Sequence, residues 1–270
     1  EEAHCLHFHT ATKEAILELD DFVRPLYEKM FKLGRRKRII DFNQGVDARL
    51  ITDKNMSKLS EVNISPLRIA FDKWSMRRTY EKAVRLAVKN GIKDLSNYML
   101  YNFKDRPEDL YCRMRLNVDL CEELDANIYS FPMKYHPIND SEGFFKNRNY
   151  IGKHWNRKFI RAIQAVLNST KGKVGKGQTF FNEAFGEDID GFNKILWMPE
   201  TFIIYRFQYK DNLTNEWWEK FSALDDNRRK TAEKIIAKNK FKPGDFKCSD
   251  ELVLNVLSYY QITRDMAEQN

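Results

Sequence analysis

From about residue 38 the chain repeats one rhythm: a short apolar run, a polar turn, then an amphipathic helical stretch. That repetition restricts the fold more than any other feature, because strands separated by whole helices pair in parallel through crossovers and build an α/β sheet or barrel. Arg38-Ile39-Ile40-Asp41-Phe42 reads as a strand that leaves through Asn43-Gln44-Gly45. Thr52-Asp53-Lys54 then opens a helix carrying Met56, Leu59 and Val62 at helical spacing. Pro66 breaks it, and Leu67–Phe71 forms the next strand, closing on Asp72. The helix over residues 76–90 places Tyr80, Val84 and Ala87 on one face, with Gly91 where a C-terminal cap is expected. A third strand, Asn97–Tyr101, leaves through residues 102–107 into a helix from Glu108 to Leu124, and a fourth strand spans Ala126–Met133.

Ligands of parallel sheets collect at the C-terminal ends of the strands. The exits here are polar: Asn43, Gln44, Asp47, Asp72, Lys73, Asn102, Lys134 and Tyr135 each follow an apolar run. As a set they are expected to rim a pocket; singly, each also suits a turn or a helix cap.

After residue 140 the character changes. Residues 146–178 hold nine Lys or Arg and no Asp or Glu, interleaved with Tyr150, His154, Trp155 and Phe159. Clustered cations gain from counterion release and aromatic rings can stack on bases, so this stretch is the candidate nucleic-acid partner site; the competing reading is a solvated face over core aromatics. Arg157–Leu167 reads as a helix and Lys171–Gly177 as a flexible basic loop, and the latter fails the spacing of a phosphate-binding P-loop. Helices are expected over 182–208, 214–239 and 249–268, with Trp197, Trp217 and Trp218 as core anchors. The expected division is therefore residues 1–140, β/α units, and 141–270, a basic and mostly helical region.

Four scattered cysteines, Cys5, Cys112, Cys121 and Cys248, argue against a disulfide framework and for a reducing, cytoplasmic setting. Cys112 and Cys121 read as small apolar residues of a helix. No stretch has the length of apolar sequence that a membrane span needs, and the first ten residues lack the signature of a secretory signal. His4-Cys5-x-His7-x-His9 crowds four potential zinc ligands into one short segment, without a second ligand pair.

The order of the strand exits carries a resemblance. Ile40–Leu50 resembles the third β/α unit of radical S-adenosylmethionine (radical SAM) proteins, Arg68–Asp72 the fourth strand, Tyr98–Phe103 with Pro107–Leu110 the fifth, and Ile128–Pro137 the sixth. The similarity covers roughly residues 38–140 and rests on order and spacing. It implies a partial (β/α) barrel of parallel strands followed by helices. It also implies an S-adenosylmethionine site at Asn43, Gln44, Asp72, Asn102 and Lys134, and a [4Fe–4S] cluster cleaving that cofactor to a 5′-deoxyadenosyl radical. The CxxxCxxC loop that holds the family's cluster has no counterpart here, so its ligands are expected outside this chain, of which this would be the rear portion of a longer barrel.

Overall fold

Short alternating runs give strands and capped amphipathic runs give helices, and a computed structural model describes this for residues 5–7, 25, 39–43, 45–137, 149–205, 212–242 and 244–267. The fold is α/β. Strand β1 (Cys5–His7) pairs in parallel with β2 (Ile39–Asp41). A small parallel sheet has the order β3 (Leu67–Arg68), β4 (Asp94–Tyr101), β5 (Asn127–Lys134). Parallel bridges from Ile40 to Ile64 and from Val46 to Ile69 carry the same direction between the β2 and β3 segments.

The chain divides into two compact units. The first comprises Glu1–Tyr101, Cys112–Met133 and Lys173–Gln178; the second comprises Asn102–Tyr111, Lys134–Gly172 and Thr179–Asn270.

In the first unit, helix α1 (Asp53–Ser60) starts at a capping box: Asn55 N donates to Thr52 Oγ1 at 3.3 Å and Thr52 N donates to Asn55 Oδ1 at 2.7 Å. Helix α2 (Arg77–Lys89) stops before Gly91, whose φ of +85° suits glycine. Helix α3 (Pro107–Glu123), of which Cys112–Glu123 belongs to this unit, begins with proline and carries Glu108 and Asp109 in its first turn, where the helix dipole favours them. Side chains of one parity on the strands face α2 and α3. Leu67, Ile69, Leu95, Met99 and Ile128 are buried there beside Tyr80, Val84, Met114 and Val118, and the Phe71 ring stacks on Tyr80 at 4.1 Å. Polar cross-links fix the layers: Asn97 Nδ2 donates to Tyr80 Oη at 2.8 Å, and Asn117 Nδ2 to Ser130 Oγ at 2.8 Å.

The Lys171–Gly177 segment is not the free basic loop expected. Val174 pairs antiparallel with Ser130, exchanging backbone hydrogen bonds of 2.7 and 2.9 Å, so the segment meets the outer edge of β5 at this one pair. Positive φ at Lys171 and Gly172 turns the chain into that pairing, and the Lys173 ammonium lies over the Tyr129 ring.

The second unit contains α4 (Arg157–Ser169), most of α5 (Gln178–Phe185), α6 (Ile189–Trp197), α7 (Glu200–Ile204), α8 (Leu213–Ser222), α9 (Asp226–Ile236), α10 (Glu251–Ser258) and α11 (Arg264–Ala267). The three long helices expected are thus interrupted. Gly186, at φ +93°, ends α5 where a Cβ would lie 2.4 Å from the Phe192 amide nitrogen. Asp188, Asp225 and Asp250 each cap a new helix start, and Pro199 separates α6 from α7. Trp217 is fully buried and stacked on Phe221; Trp197 and Trp218 are only half-buried. No helix among the described residues is long and apolar enough to cross a membrane.

Candidate functional site

Each unit concentrates polar chemistry in one place. In the first, strand residues of the parity opposite to the core build a charged ladder. Arg68 on β3 donates through Nε and Nη2 to both carboxylate oxygens of Asp41 on β2, at 2.7 and 2.8 Å. Its Nη1 donates to Ser96 Oγ on β4 at 3.1 Å, and its guanidinium sits 5.5 Å from the centre of the Tyr98 ring. Tyr98 lies beside Phe131, with Leu100, Tyr129 and Met133 exposed on the same parity. A fork-on-carboxylate pair has strict geometry. When buried, it adds little net stability over apolar residues of equal volume, so stability alone does not account for a charged ladder among strands.

At the strand ends of this unit, Asn43 occupies a half-buried turn after β2. Asp47 caps the following 3-10 turn and pairs with Arg49, which holds its carboxyl below the usual range. Asp72 follows Phe71; shielding of its carboxyl raises its pKa, against the pull of the Arg113 guanidinium. Arg113, itself fully buried, donates to the carbonyls of Phe71 at 3.1 Å and Leu100 at 2.9 Å, tying two strand ends together. Gln44 lies outside the described residues, as do His4, His9 and the side chains of Cys5 and His7.

In the second unit a cavity of about 200 Å³ opens among five cations: Lys134, Arg157, Arg161, Lys238 and Lys240. Asn149, Gln164 and Asn239 supply amides to its wall, and Ile151 and Ile160 an apolar patch. Arg157, Ile160, Arg161 and Gln164 share one face of α4 by their three- and four-residue spacing. Lys238 to Lys240 follow directly on α9, with Asn239 at φ +52°, a left-handed turn that asparagine accepts. Lys158 N donates to Ala237 O at 3.4 Å, registering the start of α4 against that turn. Arg161 forms a two-pronged pair with Glu200 on α7. Burial, and secondarily the Arg157 charge, lowers the pKa of Lys134.

Asn102 serves this pocket through the backbone. The residue is fully buried at φ +69°; its Nδ2 donates to Tyr150 O at 3.1 Å and its Oδ1 accepts from Gly152 N at 2.8 Å. That clamp fixes the 149–152 segment, which contributes Asn149 and Ile151 to the wall. Tyr135 is wedged between Phe103 and Tyr150. The aromatics of the basic stretch are structural: Trp155 is buried and donates Nε1 to Asp105 O at 3.0 Å. Trp155 therefore offers no stacking platform, and of the cations in the same stretch Arg157 and Arg161 line the cavity.

Of the residues expected from sequence, Lys134 lines the pocket, Asn102 braces it, and Asn43 and Asp72 belong to the first unit. Sequence reasoning missed Arg68, a lone cation inside an apolar strand, and the Lys-Asn-Lys run at 238–240, which lies sixty residues beyond the basic stretch. The polar stripe Arg157-Arg161-Gln164 on an otherwise apolar helix was the available signal. No group of three or more His, Cys, Asp or Glu that could hold a metal occurs among the described residues. Cys121 is buried with Ile128 N donating to its sulfur at 3.2 Å, and Cys112 and Cys248 are half-buried.

No protein-family model matches the chain, no curated protein matches it, and no solved structure matches it.

Proposed function

We propose that the first unit is part of a radical SAM enzyme barrel, and that the face around Arg68 receives S-adenosylmethionine. The observation that carries this reading is the Asp41–Arg68–Ser96 ladder with Tyr98 and Phe131 beside it, on the strand face opposite to the helix-packed core. Support for a partial (β/α) barrel comes from strand order. The order β3-β4-β5 follows the chain without the reversal that marks the ligand crevice of a doubly wound sheet.

S-adenosylmethionine is a zwitterionic nucleoside with a sulfonium, and the residues present suit those groups. Tyr98 and Phe131 offer ring faces to the adenine and the sulfonium, while the Arg68 guanidinium, held by Asp41 and Ser96, fixes the Tyr98 ring beside it. Asn43 and Asp72, at strand ends of the same unit, belong to this reading. Asn102 does not contribute its amide, which is spent on the 150–152 backbone. Bound there, the cofactor would supply the 5′-deoxyadenosyl group. The described residues do not fit a [4Fe–4S] cluster, since no set of ligands converges and the Cys121 sulfur is engaged with the backbone; no step is assigned to one.

Equilibrium dialysis of the full chain against labelled S-adenosylmethionine tests the reading. Saturable uptake is expected, weakened about tenfold or more, roughly 1.4 kcal/mol, in Tyr98→Ala and in Arg68→Lys, which loses the planar fork. Melting curves establish that each variant is folded. A folded wild-type chain that takes up no S-adenosylmethionine ends the proposal.

A further inference from the structure

We infer that the cavity of the second unit binds a small phosphorylated metabolite, a phosphate monoester on a short hydroxylated carbon skeleton, independently of the nucleoside site proposed in the first unit. Size sets the class. At about 200 Å³ the cavity falls below the roughly 300–1,000 Å³ of pockets that enclose drug-sized molecules, so a nucleoside triphosphate or a polynucleotide strand would lie largely outside it. The wall sets the chemistry. Arg157 and Arg161 stand one turn apart on α4, and Lys238 and Lys240 alternate along the turn after α9, so positive charge reaches the cavity from two separate segments. The pair with Glu200 holds the Arg161 guanidinium in place. Lys134 also lines the cavity but has an interaction of its own, and no part of the recognition is assigned to it.

A guanidinium fork matches phosphate oxygens in pairs, and an ammonium meets them as a point charge. Arg157 is the first residue of α4, where the helix dipole disfavours a cation, and a bound phosphate offsets that cost. Charge alone would leave the rest of the wall without a use. Asn149, Gln164 and Asn239 bring carboxamides, which donate and accept as sugar hydroxyls do. Ile151 and Ile160 offer an apolar surface to the carbon skeleton between those hydroxyls.

Isothermal titration calorimetry of the full chain at constant ionic strength, with ribose 5-phosphate, ribose and inorganic phosphate as probes, reads the site. Ribose 5-phosphate should bind saturably and about tenfold or more tighter than inorganic phosphate, with no saturable signal from ribose. Arg157→Gln should weaken ribose 5-phosphate by about tenfold or more, the loss of one hydrogen-bonded charge. Lys54→Gln, at an exposed position of the first unit, should leave it unchanged. Asn239→Gly deletes a carboxamide at a φ of +52° that glycine also accepts. It should weaken ribose 5-phosphate by about two- to tenfold and leave inorganic phosphate unchanged. Melting curves establish that each variant is folded. The inference is overturned by no saturable binding to the folded wild-type chain, by inorganic phosphate binding as tightly as the sugar phosphate, or by equal losses in Arg157→Gln and Lys54→Gln. It is also overturned if a single-stranded oligonucleotide binds more tightly than ribose 5-phosphate and displaces it.

Discussion

Lys158→Met should make the protein more stable at pH 6 by about 3–5 kcal/mol and by less than about 1 kcal/mol at pH 10. Lys158 is fully buried near the start of α4, its Nζ has no hydrogen-bond partner among the described residues, and burial drives its pKa down to about 7; Glu200 opposes the shift and Arg161 reinforces it. In the unfolded chain the same amine titrates near 10.5. Below pH 7 both states are protonated and the native state carries the full cost of a buried, unpaired cation. Between about 7 and 10.5 the unfolded state binds the extra proton, so stability rises with pH by at most about 1.4 kcal/mol per unit. Above that range the amine is neutral in both states and the deficit is gone. Urea titrations of both proteins at pH 6, 8.5 and 10 check this. A gain of equal size at every pH would mean that methionine simply packs better.

Gly152→Ala should destabilise by about 1–3 kcal/mol or more. A Cβ at this position would stand 2.4 Å from Phe103 O and 2.8 Å from the Asn102 carbonyl carbon. Backbone cannot swing aside as the end of a long side chain can, so the 149–152 segment must move, taking Asn149 and Ile151 with it. Asn102→Ala removes the clamp from the other side, leaving Gly152 N without its 2.8 Å acceptor at a cost of about 1–3 kcal/mol. The two should not add, because both release one segment. Chemical denaturation of the two single variants and of the double variant checks this: fully additive losses would mean that the two residues hold separate segments.

Periodicity made the β/α part of the chain readable. The helix expected over 76–90 is Arg77–Lys89, the one from Glu108 is Pro107–Glu123, and the strand at Ala126–Met133 is Asn127–Lys134. Amphipathic spacing and caps are local, and these segments obey them. The helical region was harder because its breaks are set at single residues: Gly186 needs a left-handed turn against Phe192, and Asp188 and Asp225 cap helices inside what reads as continuous apolar periodicity. Site residues divided along the same line. Lys134 was visible as a polar strand exit. Arg68 was not, because its role depends on Asp41 and Ser96, residues 27 and 28 positions away. Lys238 and Lys240 join Arg157 only through tertiary packing.

The pairing of Val174 with Ser130 has a consequence for the order in which the molecule assembles. The first unit cannot close until residue 174 has been synthesised and has returned across some forty residues, most of which belong to the second unit. Loop-closure entropy must be spent before that single pair repays it. Until then β5 has a bare edge, with Tyr129 and Met133 exposed and backbone donors unmet, and such an edge recruits other chains. A nascent chain halted near residue 140 is therefore expected to leave Ser130 unpaired on that edge.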